Sequence, residues 1–174
     1  MHLQALIMSV SNGLDRIMRI CTALLTAGFT VLIFATVLSR YVFNFSILFS
    51  QEVSKLLFIW SCFFAATVAY KQMAHIRFEF AESFLGRKGV LATDVLIHSL
   101  SLVFFGLICG ESVSYVWQIW ETYFPLIGIS QGWLYVSVLI ASIIFLVHNI
   151  SFLIESLTFL KRPNAKPAAS DPQV

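Results

Sequence analysis

Two histidines in apolar segments are the residues of this chain with the clearest capacity for chemistry. His98 follows Asp94 by four residues and precedes Ser101 by three, so the three side chains share one helical face. His148, followed by Asn149, lies at a similar depth in a later segment. Paired imidazoles on two antiparallel helices can hold one haem b by its axial positions, which would make the chain a membrane anchor of a redox enzyme. The same residues can instead form an interhelical hydrogen-bonded cluster, in which Asp94 or Asn149 satisfies a histidine.

A second pair of ionisable residues, Glu52 and Lys55, lies at the start of another apolar segment. Their spacing of three residues places both side chains on one helical face, where they can form an ion pair. The Lys55 ammonium can also extend toward water along its aliphatic stem. The pair fits two interpretations, an ion pair at the edge of a membrane or part of a contact with another protein.

Motifs for catalysis or metal binding are missing from the sequence. It contains no HExxH, nucleophile-elbow or phosphate-binding-loop sequence. The three cysteines fall within apolar segments and have no metal-ligand spacing. We therefore predict that the chain is not an enzyme and has no catalytic residue, metal site or bound cofactor.

The elements that must position these residues are four long apolar runs, at residues 20–38, 53–70, 90–110 and 133–154. At 1.5 Å per residue, each run can cross a hydrocarbon layer of about 30 Å as a helix. The composition, 59% hydrophobic and 11% charged, lies outside the range of soluble domains. We predict an all-α integral membrane protein with one four-transmembrane-helix bundle. The bundle covers residues 1–160, and a disordered cytoplasmic tail covers residues 161–174.

Lys and Arg residues predict the orientation of the bundle. Nine of them flank the runs on the side of the two termini and the middle loop, whereas Arg40 and Lys55 lie on the other side. Since basic residues in short loops stay inside the cell, both termini should be cytoplasmic. The net charge of +2 follows from this topology, and no basic stripe with interleaved aromatic residues predicts a nucleic-acid partner.

The segments between the runs predict interfacial structure. Residues 3–17 show helical apolar spacing typical of an amphipathic segment on the membrane surface, although a frayed N-terminus fits the same stretch. Residues 78–85 form a second apolar face that ends at a turn, residues 86–89. On the outer side, residues 111–132 read as a loop without Lys or Arg but rich in Trp and Tyr. Such aromatic residues usually anchor helix ends among lipid headgroups, and a partner-docking surface is the alternative.

Small residues four apart predict faces for helix packing, because they let helix backbones approach closely in lipid. They are Ser61, Ala65 and Ala69 in the second run and Gly106 and Gly110 in the third. The sequence leaves open whether these faces pack within the chain or against another protein. No carboxylate lies deep in a run and no run has a Gly/Pro-rich break, so we do not expect the chain alone to carry a polar solute.

Two stretches of the sequence resemble a known family. The first is Arg40-Tyr41-Val42-Phe43-Asn44 followed by Ser50, Glu52, Leu57, Trp60, Phe63, Ala65, Ala66, Ala69 and His75-Ile76-Arg77. The second is Gly128-Ile129-Ser130-Gln131-Gly132-Trp133-Leu134-Tyr135. In order and spacing, they resemble the small membrane subunit, the DctQ-like Q subunit, of tripartite ATP-independent periplasmic (TRAP) transporters.

The resemblance implies a function in the bacterial inner membrane. In such systems a periplasmic substrate-binding protein delivers an organic acid, such as a dicarboxylate or sialic acid, to a two-part membrane complex. A large multi-helix subunit then transports it by an elevator motion driven by a sodium gradient. The small subunit would brace the immobile scaffold of the large one, widen its footprint among membrane lipids and help dock the binding protein.

The resemblance also suggests which residues contact these partners. Arg40, Glu52 and Lys55 could join a three-way polar contact with the binding protein or the large subunit. The full set of candidates for partner contact is Arg40, Glu52, Lys55, Trp60, His75 and Arg77.

Overall fold

The computed structural model describes residues 2–161, and within them the side chains of residues 10–72, 89, 92–154 and 156. Over this part of the chain the backbone forms three helices, α1 (His2–Val42), α2 (Ser50–Ile119) and α3 (Gly132–Lys161). Four segments of these helices are long and apolar enough to cross a membrane: Val10–Val42, Ser50–Gln72, Ala92–Ile119 and Gly132–Ile154. The predicted all-α fold with four membrane-spanning helices is confirmed, and we refer to these segments as spans 1 to 4.

Helix α2 contains both span 2 and span 3 in one helical stretch of 70 residues. A straight helix would separate Tyr70 from His98 by about 42 Å. Their side chains instead approach to 3.4 Å between Tyr70 Oη and His98 Nδ1, and the rings of Tyr70 and Phe105 lie 6.2 Å apart. The helical path therefore reverses direction between Tyr70 and His98, and spans 2 and 3 pack side by side.

The predicted turn at residues 86–89 is wrong, because the backbone there is helical. Gly86 and Gly89 each cost about 1 kcal/mol relative to Ala within a helix, a cost that neighbouring helix formers can offset. The predicted amphipathic faces at residues 3–17 and 78–85 depend largely on side chains outside those described. The predicted disordered tail lies beyond the described residues from Arg162 onward.

Span 3 is longer than the sequence predicted. The helix continues to Ile119, so Glu111 and Trp117 lie on it and not in a loop. The physical reason is that no Gly or Pro interrupts residues 111–119. The connection between spans 3 and 4 consequently shortens to residues 120–131, which we call the outer loop because the predicted orientation places it outside the cell.

The apolar core of the bundle lies where spans 1, 2 and 4 meet. Met18, Phe64 and Ile144 are buried there against one another, with Trp60 and Val68 among the residues packed around them. Helix α2 shares its largest interface with α3, whereas α1 packs mainly on α2 and exposes most of its apolar side chains. Exposed apolar surface on a spanning helix is expected, since lipid tails are as apolar as the side chains.

Several buried hydroxyl side chains at the helix interfaces bond to backbone carbonyls. Thr67 donates to the carbonyl of Phe64 at 2.7 Å, and Ser142 donates to the carbonyl of Val138 at 2.8 Å. Each hydroxyl thus bonds to its own helix. Small residues of this kind let neighbouring helices come close without an energetic cost for the hydroxyl.

Candidate functional site

The outer loop is an ordered hairpin with one helical turn at its tip. Its two arms are joined by hydrogen bonds from Phe124 N to the Ile129 carbonyl at 2.9 Å and from Gln131 N to the Thr122 carbonyl at 2.7 Å. At the tip, Gly128 N donates to the Phe124 carbonyl at 3.0 Å. Gly128 has φ of +65°, which a residue without Cβ adopts readily, and this ends the turn as it ends many helices.

Glu52, at the start of span 2, holds the tip of this loop. Its Oε2 accepts hydrogen bonds from Ile127 N at 2.9 Å and from Leu126 N at 3.1 Å, and its Oε1 lies 3.2 Å from Leu126 N. The first N–H groups of a helical turn have no partner within the turn. A carboxylate is the favoured acceptor there, because it carries negative charge to the positive end of the turn. Glu52 therefore caps a turn that lies 74 residues later in the chain.

The predicted ion pair between Glu52 and Lys55 is wrong. The Glu52 carboxylate is occupied by the outer loop, and Lys55 is exposed. Lys55 forms no ion pair with any residue whose side chain the structure describes. Two N–H groups at fixed positions bind the carboxylate without ordering a long lysine side chain, whose ammonium can extend to water.

Three tryptophans and a glycine close the bundle beneath the outer loop. Trp60 Nε1 donates to the Trp133 carbonyl at 2.9 Å, so the Trp60 indole N–H bonds within the chain. The rings of Trp120 and Trp133 lie 6.3 Å apart. A Cβ at Gly132 would lie 2.7 Å from Trp120 Cε3, so this position requires glycine. Residues 128–135, the second stretch that resembles the TRAP small subunit, thus include residues needed to build the outer loop.

Tyr70, His98 and Asn149 form a polar cluster that joins spans 2, 3 and 4, which we call the tyrosine cluster. Asn149 Oδ1 accepts from Tyr70 Oη at 2.6 Å and lies 3.0 Å from His98 Nδ1. Asn149 Nδ2 donates to the Phe145 carbonyl at 3.0 Å. The His98 ring also stacks on Phe152, with centroids 5.2 Å apart. Because a carbonyl oxygen only accepts, His98 Nδ1 carries the proton in this arrangement.

A separate cluster around Lys71 and His148 ties span 1 to spans 2 and 4, and we call it the lysine cluster. Ser11 Oγ lies 2.8 Å from His148 Nδ1. Lys71 Nζ donates to Asn12 Oδ1 at 2.7 Å and lies 3.9 Å from Asp15 Oδ2. Its partners come from the start of span 1, which the apolar spacing of residues 3–17 predicts to be an interfacial segment, so the sequence did not predict this cluster. The available signal was the spacing of Ser11, Asn12 and Asp15, which places three polar side chains on one helical face.

Two of the three residues predicted as one intramembrane polar cluster, His98 and His148, lie in different clusters. His98 lies in the tyrosine cluster, and His148 lies in the lysine cluster. Asp94 is buried one helical turn before His98. The two imidazoles thus bond to different partners on different helices, which is the interhelical hydrogen-bonded alternative. The hypothesis of a haem-b anchor is not supported.

Most predicted helix-packing residues lie on the outside of the bundle. Ser61 is buried, whereas Ala65 and Ala69 are exposed on span 2. Gly106 and Gly110 are exposed on span 3, and a Cβ at either would meet no atom of the described structure within 4 Å. These faces do not pack within the described part of the chain.

The remaining predicted contact residues divide into two groups. Arg40 is exposed at the C-terminal end of span 1, as Lys55 is at the N-terminal end of span 2. His75 and Arg77 lie on helical backbone, but their side chains are outside those described.

These features define a small, multi-pass helical membrane protein in which two polar clusters join the helices. Residues 29–159 match the family described as tripartite ATP-independent periplasmic transporters, DctQ component. The chain belongs to this family and is a TRAP transporter small permease subunit of the bacterial inner membrane.

Two relatives agree with this assignment over nearly their whole lengths. A TRAP transporter small permease protein of Haemophilus influenzae is 26% identical over 159 residues, which cover 91% of this chain and 98% of that protein. The sialic acid TRAP transporter small permease protein SiaQ of Vibrio cholerae is 23% identical over 163 residues, covering 92% of this chain and 93% of that protein.

Proposed function

We propose that this chain is the accessory subunit of a sodium-driven TRAP transporter for organic acids. In this function it braces the large, elevator-type transport subunit and helps dock the periplasmic substrate-binding protein. Its partners are therefore the large subunit, the binding protein and the surrounding lipids.

The observation that carries the bracing role is the position of the small residues. Ala65 and Ala69 on span 2 and Gly106 and Gly110 on span 3 are exposed on the isolated bundle. Small residues four apart favour close helix contact in a bilayer, because van der Waals packing is the main attraction available there. Exposed faces of this kind suit the helices of a larger partner.

The distribution of charge argues that transport itself takes place in another chain. No Asp, Glu, Lys or Arg occurs at residues 20–39, 56–70, 95–110 or 122–154, which contain the central parts of the four spans. A polar solute or a coupling ion crossing the bilayer needs polar groups near the midplane. The hydrogen-bonded tyrosine and lysine clusters instead join helices near the end that holds Lys71.

The docking role assigns different tasks to the predicted contact residues. Arg40 and Lys55 are exposed and lie on the side predicted to face outward, and they are proposed to contact a partner directly. Glu52 bonds to the outer loop and is proposed to act through it. Trp60 contributes mainly to the bundle, and His75 and Arg77 stay candidates for contact with the large subunit.

The proposed substrate class is an organic acid. The resemblance to TRAP systems supports a carboxylate and sodium coupling, and the name of the Vibrio cholerae relative supports sialic acid as one example. Dicarboxylates belong to the same class. Substrate selection is proposed to reside in the binding protein and the large subunit.

Co-expression with the neighbouring genes tests this function. We expect the chain to be extracted in detergent as a stable complex with a much larger membrane protein. Liposomes containing this complex should accumulate the organic acid only when its binding protein and a sodium gradient are both present. Liposomes containing the chain alone should accumulate none. Extraction without a partner, or uptake by the chain alone, would contradict the proposal.

A further inference from the structure

The end of α1 and the chain that leads to α2 expose a dense group of apolar side chains. Residues 41–49, which we call the aromatic connection, contain seven apolar residues and no charged one. The exposed large apolar side chains are Tyr41, Val42, Phe43, Phe45, Leu48 and Phe49. Phe43 and Phe45 are 74% and 64% exposed. Apolar surface this concentrated is rarely left in water, so a lipid or a protein covers it.

The length of span 1 indicates where the aromatic connection lies relative to the bilayer. Between Arg19 and Arg40, α1 has no charged residue, and residues 20–39 cover about 30 Å at 1.5 Å per residue. That length matches the thickness of the hydrocarbon layer. Ile20 and Val31 are exposed along this charge-free stretch, as expected for side chains among lipid tails. Arg40 therefore lies where the hydrocarbon meets the headgroups.

Beyond Arg40 the chain folds back toward the bilayer. Phe45 N donates to the Ser39 carbonyl at 3.0 Å, and Ser39 Oγ donates to the Phe45 carbonyl at 2.7 Å. Asn44 has φ of +50° within this reversal, a conformation that Asn adopts more readily than most residues. Phe45 thus lies level with Ser39, at the edge of the charge-free stretch. Since the headgroup layer extends about 5–7 Å beyond the hydrocarbon, the aromatic connection lies within that layer.

The chemistry of this end of span 1 suits phospholipid. Arg40 is exposed and forms no ion pair with any side chain that the structure describes. At the depth of the headgroups, its guanidinium can donate hydrogen bonds to lipid phosphates. Apolar and aromatic side chains beside a basic group are typical of segments that lie in the headgroup layer. The lipid-facing surface of span 1 also continues into the connection through Val37, Leu38 and Tyr41, which are all exposed.

We infer that the aromatic connection is a membrane-interface anchor, which inserts Phe43 and Phe45 into the headgroup layer while Arg40 binds lipid phosphates. Phospholipid is thus the partner proposed for Arg40, so the assignment rests on the proposed contact of that residue and on the spanning fold, and it does not require transport. Because the connection joins α1 to α2, the anchor fixes the depth of spans 1 and 2 together.

Electron paramagnetic resonance of a spin label in the connection tests the anchor. The label is attached to Phe43→Cys in the full chain, in liposomes of phosphatidylcholine and phosphatidylglycerol, and the unsubstituted chain corrects for its three cysteines. Collisions with a neutral nickel chelate, which stays in water, should be several-fold less frequent than for free label. Val31→Cys, near the middle of the charge-free stretch, is the matched control and should show still fewer nickel collisions and more collisions with O₂.

Second substitutions identify the groups that hold the anchor. Added to the labelled Phe43→Cys chain, Phe45→Ser and Arg40→Gln should each raise the frequency of nickel collisions. For Arg40→Gln the rise should reach about fivefold, the effect of losing one basic group near an anionic membrane surface. Ser46→Ala changes an exposed polar residue of the same connection and should leave the frequency unchanged. Unchanged collisions in both Phe45→Ser and Arg40→Gln would overturn the inference.

The same label distinguishes lipid from a protein partner. In the complex with the large subunit, and after addition of the binding protein, the mobility and O₂ collisions of the label should stay as in the chain alone. Immobilisation with loss of O₂ collisions would show that a protein covers the connection, and this would overturn the inference. Nickel collisions as frequent as those of free label would overturn it by placing the connection in water. The proposed function is tested separately, because it fails if the chain is extracted without a larger membrane protein.

Discussion

The hydroxyl of Tyr70 and the amide oxygen of Asn149 lie 2.6 Å apart, although 79 residues separate them in the sequence. The same oxygen lies 3.0 Å from His98 Nδ1, so one amide joins three spans. In lipid, such a bond has no water to compete with, and each group left without a partner destabilises the bundle.

Removing the acceptor of this cluster should destabilise the isolated chain. Asn149→Leu leaves both Tyr70 Oη and His98 Nδ1 without this oxygen, and we expect a loss of about 1–2 kcal/mol, the upper range for interhelical bonds in membranes. Tyr70→Phe removes one donor and should cost less. Unfolding in mixed micelles with increasing SDS measures both. A larger loss for Tyr70→Phe would show that Asn149 is not the centre of the cluster.

Adding one methyl group at Gly132 should disturb the outer end of the bundle. Its Cβ would lie 2.7 Å from Trp120, and relieving such a clash costs about 1–3 kcal/mol. Gly106→Ala is the matched control, since its Cβ meets open space, and it should be neutral or slightly stabilising. Tryptophan fluorescence during SDS unfolding measures the stability of both variants. Equal stability of the two would contradict the packing described for Trp120.

Replacing the lysine of the lysine cluster should loosen span 1. In Lys71→Met, Asn12 and Asp15 lose the ammonium between them, and we expect destabilisation of about 1.5–3 kcal/mol. Lys55→Met removes an exposed lysine and should change stability little. SDS unfolding, together with cysteine cross-linking between spans 1 and 2, measures the effect. Similar losses for both variants would mean that burial of Lys71 has no stabilising role.

Bulk on the small-residue face of span 3 should weaken assembly without unfolding the chain. Gly106→Leu and Gly110→Leu each place a side chain on an exposed face, so the isolated chain should unfold as the wild type does. Copurification with the large subunit should fall several-fold, because the proposed helix contact can no longer close. Leu107→Phe adds bulk on an adjacent, exposed face and is the control. Normal copurification of both glycine variants would place the partner elsewhere.

The spans could be predicted from the sequence, whereas most partners of the polar groups could not. Long apolar runs are a local signal, and their length alone predicts four membrane-spanning helices. Glu52 shows why the partners of polar groups were harder to predict than the spans. Its helical neighbour Lys55 is visible in the spacing, but its actual partners are backbone N–H groups 74 and 75 residues later. Because every residue except proline has a backbone N–H, the residue types in the loop do not indicate which of these groups binds Glu52.

The positions predicted for two helix boundaries were wrong for a related reason. Gly86 and Gly89 are typical of a turn, but a glycine only raises the cost of a helix and does not forbid it. At the end of span 3, the apolar run ends at Gly110, although helix-compatible residues continue to Ile119. The aromatic residues there are typical of helix ends among lipid headgroups, but this preference does not determine backbone conformation.

The bond between Ser11 and His148 has a consequence for biosynthesis. Its two residues are 137 positions apart, so the ribosome has made most of the protein before the imidazole exists. Until α3 enters the bilayer, the hydroxyl of Ser11 lacks this partner, and α1 is held chiefly by its contacts with span 2. A nascent chain cut short before α3 therefore leaves its first helix incompletely anchored, a state that proteolytic quality control can distinguish from the finished subunit.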